Sequence, residues 1–276
     1  MIVCKSEDLE IKDSKMRNIF YLGGLPRSGS TLLCNILAQN KSLYVSKATS
    51  GCSEIFYRVK NQWSLVTEHL AEGINQAQMY GVLKSLLQSY HNTYSNVIID
   101  KSRNWLSLYE ELEMANGEKP KIIVPVRNLN QVLASFEKLW RKHKWEITVE
   151  DYPESQTVEG RCNIWSRNDQ PVGIAYNRVK DIISRGHKDD VLFLEFDLLT
   201  SNPARAMELV YNYLELPYYQ HNFDYVEQYT EEDDLNVHGI PDLHTIRNKV
   251  QPLVDDSRKI LGNELHDKYS NLEVWR

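Results

Sequence analysis

The sequence predicts an α/β fold, a parallel sheet with helices on both faces. Two patterns carry that expectation. Four short apolar runs, Ile19–Leu22, Val97–Ile99, Ile122–Val126 and Val191–Phe196, lack the in–out alternation of a half-solvated strand, so they read as strands buried on both sides. Between them lie stretches of helical periodicity. Ser30–Gln39 follows the first run, and Gln62–Tyr90 is a long helical region broken near Gly73. Asn130–His143 follows the third run and Val172–Ser184 precedes the fourth. Pro203–Leu214 closes the series, with Asn202-Pro203 as a helix start.

The junction of the first strand and helix is the most informative segment. It reads Tyr21-Leu22-Gly23-Gly24-Leu25-Pro26-Arg27-Ser28-Gly29-Ser30-Thr31. Strand, glycine turn and helix form the setting of a phosphate-binding loop, so the sheet is expected to be of the P-loop type. Gly24 and Gly29 have the spacing of G-x-x-x-x-G-K-[ST], but Ser30 stands where the lysine belongs and Thr31 fills the last hydroxyl position. The missing lysine would reach the β- and γ-phosphates of a nucleoside triphosphate. What remains is a row of backbone N–H groups, a helix N-terminus and the fixed cation of Arg27, which suit a dianion that needs no metal.

The pattern G-x-P-R-S-G-[ST]-[ST]-L resembles the 5′-phosphosulfate loop of sulfotransferases, nearest to the branch that includes the protein-tyrosine sulfotransferases. The resemblance implies 3′-phosphoadenosine 5′-phosphosulfate as donor, adenosine 3′,5′-bisphosphate as product and no metal. It also implies a hydroxyl-bearing acceptor, whether small molecule, glycan, lipid or tyrosyl peptide. Arg27, Ser28, Gly29, Ser30 and Thr31 would cradle the phosphosulfate. Arg127, at the end of the third strand, and Ser135, about eight residues on, resemble the family's 3′-phosphate pair, with Leu129 where a proline is usual. Arg247 and Lys249 fit a late basic loop folded over the donor by position in the chain alone. The Phe193–Asp197 strand followed by Asn202-Pro203 resembles another family segment.

Two catalytic candidates follow. Lys101, directly after the second strand, matches the lysine that neutralises the bridging oxygen as the leaving group departs, although Arg103 replaces the family's proline. A cation at the sheet's ligand edge suits that task on physical grounds alone. Glu54, near Gly51 and Arg58, resembles in composition, with altered spacing, the segment that supplies the tyrosyl-protein enzymes with their base. Helix capping by Ser53 and Glu54 explains the same residues, and a nearby arginine lowers a carboxylate's pKa, away from a base's working range. None of the histidines, His244 among them, falls in an identifying motif.

The 276 residues are expected to form a single domain (1–276), with 1–17 an N-terminal extension and 144–160 a surface excursion or lid. A net charge of −6 argues against a general nucleic-acid binder, so any basic donor site must be local. Glu227–Asp234 reads as a solvated acidic run. Cys4, Cys34, Cys52 and Cys162 are scattered without zinc spacing and suggest a reduced protein, a Cys52–Cys162 disulfide being the alternative. Residues 1–17 lack the apolar core of a signal peptide or anchor, and no run nears the ~18 apolar residues of a membrane span. A soluble, cytoplasmic enzyme is expected. The rival readings are a P-loop kinase of a small metabolite, which would depend on ATP and Mg²⁺, and a non-catalytic nucleotide-binding protein, which would bind adenosine 3′,5′-bisphosphate without turnover.

Overall fold

The structure, a computed structural model, describes residues 16–143 and 153–276. Residues 1–15 of the extension and 144–152 of the excursion lie outside them. The fold is an α/β sheet of five strands: β1 (Asn18–Leu22), β2 (Leu43–Val45), β3 (Val97–Lys101), β4 (Ile122–Val126) and β5 (Leu192–Glu195). They lie in the order β2-β3-β1-β4-β5, and every neighbouring pair is parallel.

Successive strand residues feed two cores. Tyr21, Ile122, Val124 and Val126 pack on one face, against helices that include Gln76–Tyr90, Leu129–His143 and Pro171–Ser184. Phe20, Leu22 and Ile123 pack on the other, against helices Ser30–Leu37 and Pro203–Leu214. Strands buried on both sides need no alternation, which explains the continuous apolar runs. Each buried Leu, Ile or Val contributes roughly 1.5–3 kcal/mol of transfer free energy.

Three elements differ from expectation. β2 is a three-residue edge strand in a segment read as a connection; so short a strand gives little periodic signal. Helix Cys52–Trp63 buries Cys52, Ser53 and Phe56, and the helical region to Tyr90 breaks at Gly73 as expected and a second time after Trp63. The described part of the excursion is folded: Pro153–Gln156 is a 3₁₀ turn, Ser155 is buried, and helix Val158–Trp165 follows. Arg161 holds it by forking onto Glu137 (2.8 and 2.7 Å) and donating to the Ser155 carbonyl (2.7 Å). Cys34, Cys52 and Cys162 are free, buried thiols, so the Cys52–Cys162 disulfide is absent. Arg17, expected in the extension, anchors to the fold through Gln88 and the His91 carbonyl.

The chain leaves β1 toward β2 and β3, then returns across β1 to form β4 and β5. The direction of winding switches between β1 and β4, and the crevice beyond their C-terminal ends is where such sheets bind ligands. There the glycine turn rides directly over β4. The Gly23 and Leu25 N–H groups donate to the Ile123 and Pro125 carbonyls, both at 3.0 Å. Gly24, between them, has φ +141°, and a Cβ there would stand 2.3 Å from the Pro125 oxygen. Gly24→Ala is therefore expected to cost roughly 2–4 kcal/mol in urea unfolding. Gly81→Ala, in helix Gln76–Tyr90 with nothing within 4 Å of the added carbon, should instead gain about 0.5–1 kcal/mol.

Candidate functional site

The crevice opens into a cavity of about 390 Å³ lined by the glycine turn, the ends of β3 and β4, and the late segment 238–253. Helix Ser30–Leu37 starts at this wall. Its N-cap, Gly29, is left-handed (φ 86°) and supplies no capping side chain, so the first-turn N–H groups have no side-chain acceptor. A larger residue at Gly29 would strike Phe196, whose Cδ2 lies 2.9 Å from the position of a Cβ. Such an end, with Ser30 and Thr31 beside it, has the geometry and dipole that favour an anion.

Two arginines adjoin that seat and are tied together. Arg27, itself in a left-handed conformation (φ 58°), donates from Nε to Ser135 Oγ at 3.1 Å and from a terminal nitrogen to the Leu243 carbonyl at 2.6 Å. Arg127 donates to the Arg27 carbonyl at 3.2 Å and to Gln131 at 3.0 Å, and its guanidinium stacks 4.2 Å from the Phe196 ring centroid. Burial lowers the pKa of both; that of Arg127 falls to about 10, with Asp197 opposing and Arg27 adding to the effect. Both stay charged near neutrality, held in a dry setting where an anion gains more from them than in water.

Lys101 ends β3 and is buried. Its neighbour Asp100 fixes that end of the strand by accepting from Trp105 Nε1 (2.7 Å), Ser50 Oγ (2.8 Å) and His91 Nε2 (2.6 Å). The Lys101 ammonium pairs with Glu232, both side chains under a tenth exposed. Glu232 belongs to a strap that comes back over the cavity: the Glu231 N–H donates to the Lys47 carbonyl at 2.8 Å, and Glu232 Oε2 lies 3.2 Å from His244 Nδ1. Burial lowers the His244 pKa against the opposing pull of Asp234, so its ring is neutral near pH 7.

A family model for the sulfotransferase family matches residues 19–220. The chain belongs to the sulfotransferase family. No curated protein matches it. Solved structures resemble this sulfotransferase at low identity. The sulfotransferase domain of the olefin synthase of Synechococcus PCC 7002 aligns with a TM-score of 0.48 and 17% identity over 95% of this chain and 98% of that one. A sulfotransferase from Alicyclobacillus acidocaldarius gives 0.45 and 15% over 83% and 89%, and the sulfotransferase domain of the curacin biosynthetic pathway 0.41 and 18% over 90% and 97%. Family membership rests on the family model, which selects no branch.

Of the residues singled out from the sequence, Arg27, Gly29, Ser30, Thr31, Lys101, Arg127, Ser135, Arg247 and Lys249 all line this one cavity. Ser28 does not: it is buried, and its hydroxyl donates to the Leu25 carbonyl at 2.5 Å, closing the turn. Glu54 does not line it either. Its carboxylate is about half exposed and pairs with Arg58 at 2.7 Å, as i,i+4 neighbours on a helix do. Lys249 is exposed and paired with Asp224 at 2.7 Å. Sequence reasoning missed Arg103, which lines the cavity, and Glu232, Asp234 and His244. The acidic run was read as solvated, whereas Asp234 and the Glu232 side chain are buried. Their partners lie far away in sequence, so composition could not reveal it.

Removing one member of a buried ion pair strands the other. Glu232→Ala is expected to cost about 3 kcal/mol in chemical unfolding, whereas Lys101→Met with Glu232→Met should recover most of that loss. Equal stability of the single and double variants would show that the pair is not closed in solution.

Proposed function

We propose that the protein transfers a sulfuryl group from 3′-phosphoadenosine 5′-phosphosulfate to the hydroxyl of an acceptor, releasing adenosine 3′,5′-bisphosphate. The observation that carries the reading is the pair of linked cationic seats in one cavity: the uncapped helix start at Gly29, and Arg127 bonded to the carbonyl of Arg27, whose side chain reaches Ser135. A donor with a phosphosulfate at one end and a 3′-phosphate at the other needs two such seats. Ser30 in place of the loop lysine favours it over a nucleoside triphosphate.

In this reading Gly29, Ser30 and Thr31 take the phosphosulfate through backbone N–H groups and hydroxyls. Ser135 and Arg127 take the 3′-phosphate, and Arg27, which reaches Ser135, lies between the two. Arg247 and Lys249 are the exposed cations of the roof. The acceptor oxygen forms a bond to sulfur as the bond from sulfur to the bridging phosphate oxygen breaks, and the hydroxyl proton passes to solvent water. Little covalent work falls to the protein, so rate comes from alignment and charge stabilisation. An ammonium has three N–H donors, so Lys101 can keep one on Glu232 and turn another to the leaving oxygen. We assign no base role to Glu54, because its carboxylate lies outside the cavity and is held by Arg58.

The acceptor class stays as broad as a hydroxyl-bearing molecule. The chain acts as a single unit in the cytoplasm in this proposal; among the described residues no helix is long and apolar enough to cross a membrane.

Arg127→Ala and Arg27→Ala should each weaken adenosine 3′,5′-bisphosphate binding at least tenfold in calorimetry, since a charge-assisted hydrogen bond contributes roughly 1.5–3 kcal/mol. Lys101→Ala should still bind the bisphosphate while turnover of the donor falls about 10²–10³-fold. Unchanged affinity in both arginine variants would remove the donor assignment, and loss of binding without a turnover defect in the lysine variant would reduce Lys101 to a phosphate grip.

A further inference from the structure

The strap holds a second constellation, of which the proposed sulfuryl transfer uses only Glu232, as the partner of Lys101. Glu232, Asp234, His238 and His244 each present a ligand atom, and all four atoms lie within 4.8 Å of one another. Asp234 and His238 are four residues apart on helix Asp234–His238, hence on one face, and Gly239 (φ 68°) ends that helix. The turn beyond it brings His244 back, its ring centroid 5.7 Å from that of His238.

Each carboxylate has one oxygen fixed by a close donor and the other on the His244 ring, with Thr49 Oγ1 3.4 Å from both Glu232 oxygens. Glu232 Oε1 is held by the Lys101 ammonium, and Oε2 lies 3.2 Å from His244 Nδ1. Asp234 Oδ2 accepts the His244 backbone N–H at 2.8 Å, and Oδ1 also meets His244 Nδ1. Outer donors that fix one carboxylate oxygen while the other faces inward are the supporting shell of metal sites. The charge count points the same way. Two carboxylates with side chains only 7% and 8% exposed converge on one ring nitrogen, which has at most one proton to share. Lys101 pairs directly with Glu232, whereas Asp234 has no lysine or arginine in direct contact among the described residues and meets Arg27 only through the longer-range field. His238 makes no hydrogen bond within the described residues, so its ring nitrogens are available.

We propose that Glu232, Asp234, His238 and His244 bind one divalent transition-metal ion that clasps the strap over the donor cavity. Two imidazoles with two carboxylates and no thiolate suit zinc, cobalt or nickel, whereas calcium and magnesium take oxygen ligands almost alone. A four-coordinate ion with bonds of about 2.0–2.2 Å needs ligand atoms roughly 3.3–3.6 Å apart, so the widest separations close by about 1 Å on binding while the Asp234–His244 contact opens. His244 binds through Nδ1, and its ring proton passes to Nε2. The ion takes no part in bond exchange. It ties residues 232, 234, 238 and 244 into one piece, and His238 and His244 line the cavity below it.

Metal binding can be read directly, so its test needs no turnover. The full-length, untagged chain is stripped with a chelator, dialysed and titrated with Zn²⁺ by calorimetry, then with Co²⁺ by visible absorption. One equivalent of zinc, four-coordinate cobalt bands and a zinc-dependent rise in melting temperature are expected. His238→Ala, whose histidine is half-buried and unbonded, should keep the metal-free melting temperature, weaken zinc at least tenfold and lose the cobalt bands. Asp234→Asn should weaken zinc similarly, and His69→Ala, remote from the strap, should change nothing. No zinc uptake by the parent chain, or uptake with the same affinity and cobalt spectrum in His238→Ala, would overturn the assignment.

Discussion

The crossing of the glycine turn over β4 is the constraint on which the site depends. Leu25 donates to the Pro125 carbonyl, and Gly24 passes so close that no side chain fits. Pro125 suits the crossing because it carries no N–H that the turn would have to satisfy. With the turn pressed onto β4, Arg27 emerges beside Arg127 and reaches Ser135, although Arg27 and Ser135 are 108 residues apart. The same crossing sets the start of helix Ser30–Leu37 at the cavity wall. Backbone geometry thus brings two cationic segments together, and the cations need not attract one another to do so.

Charge at this edge is managed by burial and pairing. The chain has a net charge of −6, yet four arginines and two lysines converge on one cavity. Arg27 and Arg127 repel, and dryness lowers both their pKa values, but each spends its hydrogen bonds on fixed acceptors and is ready for an anion without rearrangement. The strap supplies the countercharge. Glu232 pairs with Lys101 under the roof, so the buried ammonium has its countercharge. The strap, the β3 end and the turn after β1 are therefore one electrostatic unit, although they come from opposite ends of the chain.

The part of this arrangement legible in the sequence was the part encoded locally. Apolar runs gave β1, β3, β4 and β5 because strands buried on both sides leave an unbroken signal, whereas β2, only three residues long, left none. The glycine turn, Arg127 and Ser135 were visible because each sits at a fixed offset from a strand or helix end. Their mutual bonding was not, since it depends on strand order. Glu54 read as a site residue on the strength of neighbouring Gly51 and Arg58, but helical spacing spends it on Arg58 instead. Glu232 and Asp234 read as solvated for the opposite reason: their neighbours in sequence are polar, and their burial comes from folding onto Lys101 and the His244 turn.

The central claim is that the two linked seats recognise an adenosine carrying phosphates at both its 3′ and 5′ ends. Its most direct measurement is a calorimetric titration of the parent chain with adenosine 3′,5′-bisphosphate in excess chelator, repeated in the presence of ATP, and separately with ATP and Mg²⁺. The account predicts tight, chelator-resistant binding of one equivalent, which ATP competes for only weakly. No binding of the bisphosphate, or tighter binding of ATP with Mg²⁺, would contradict it and make the cavity a nucleoside triphosphate site.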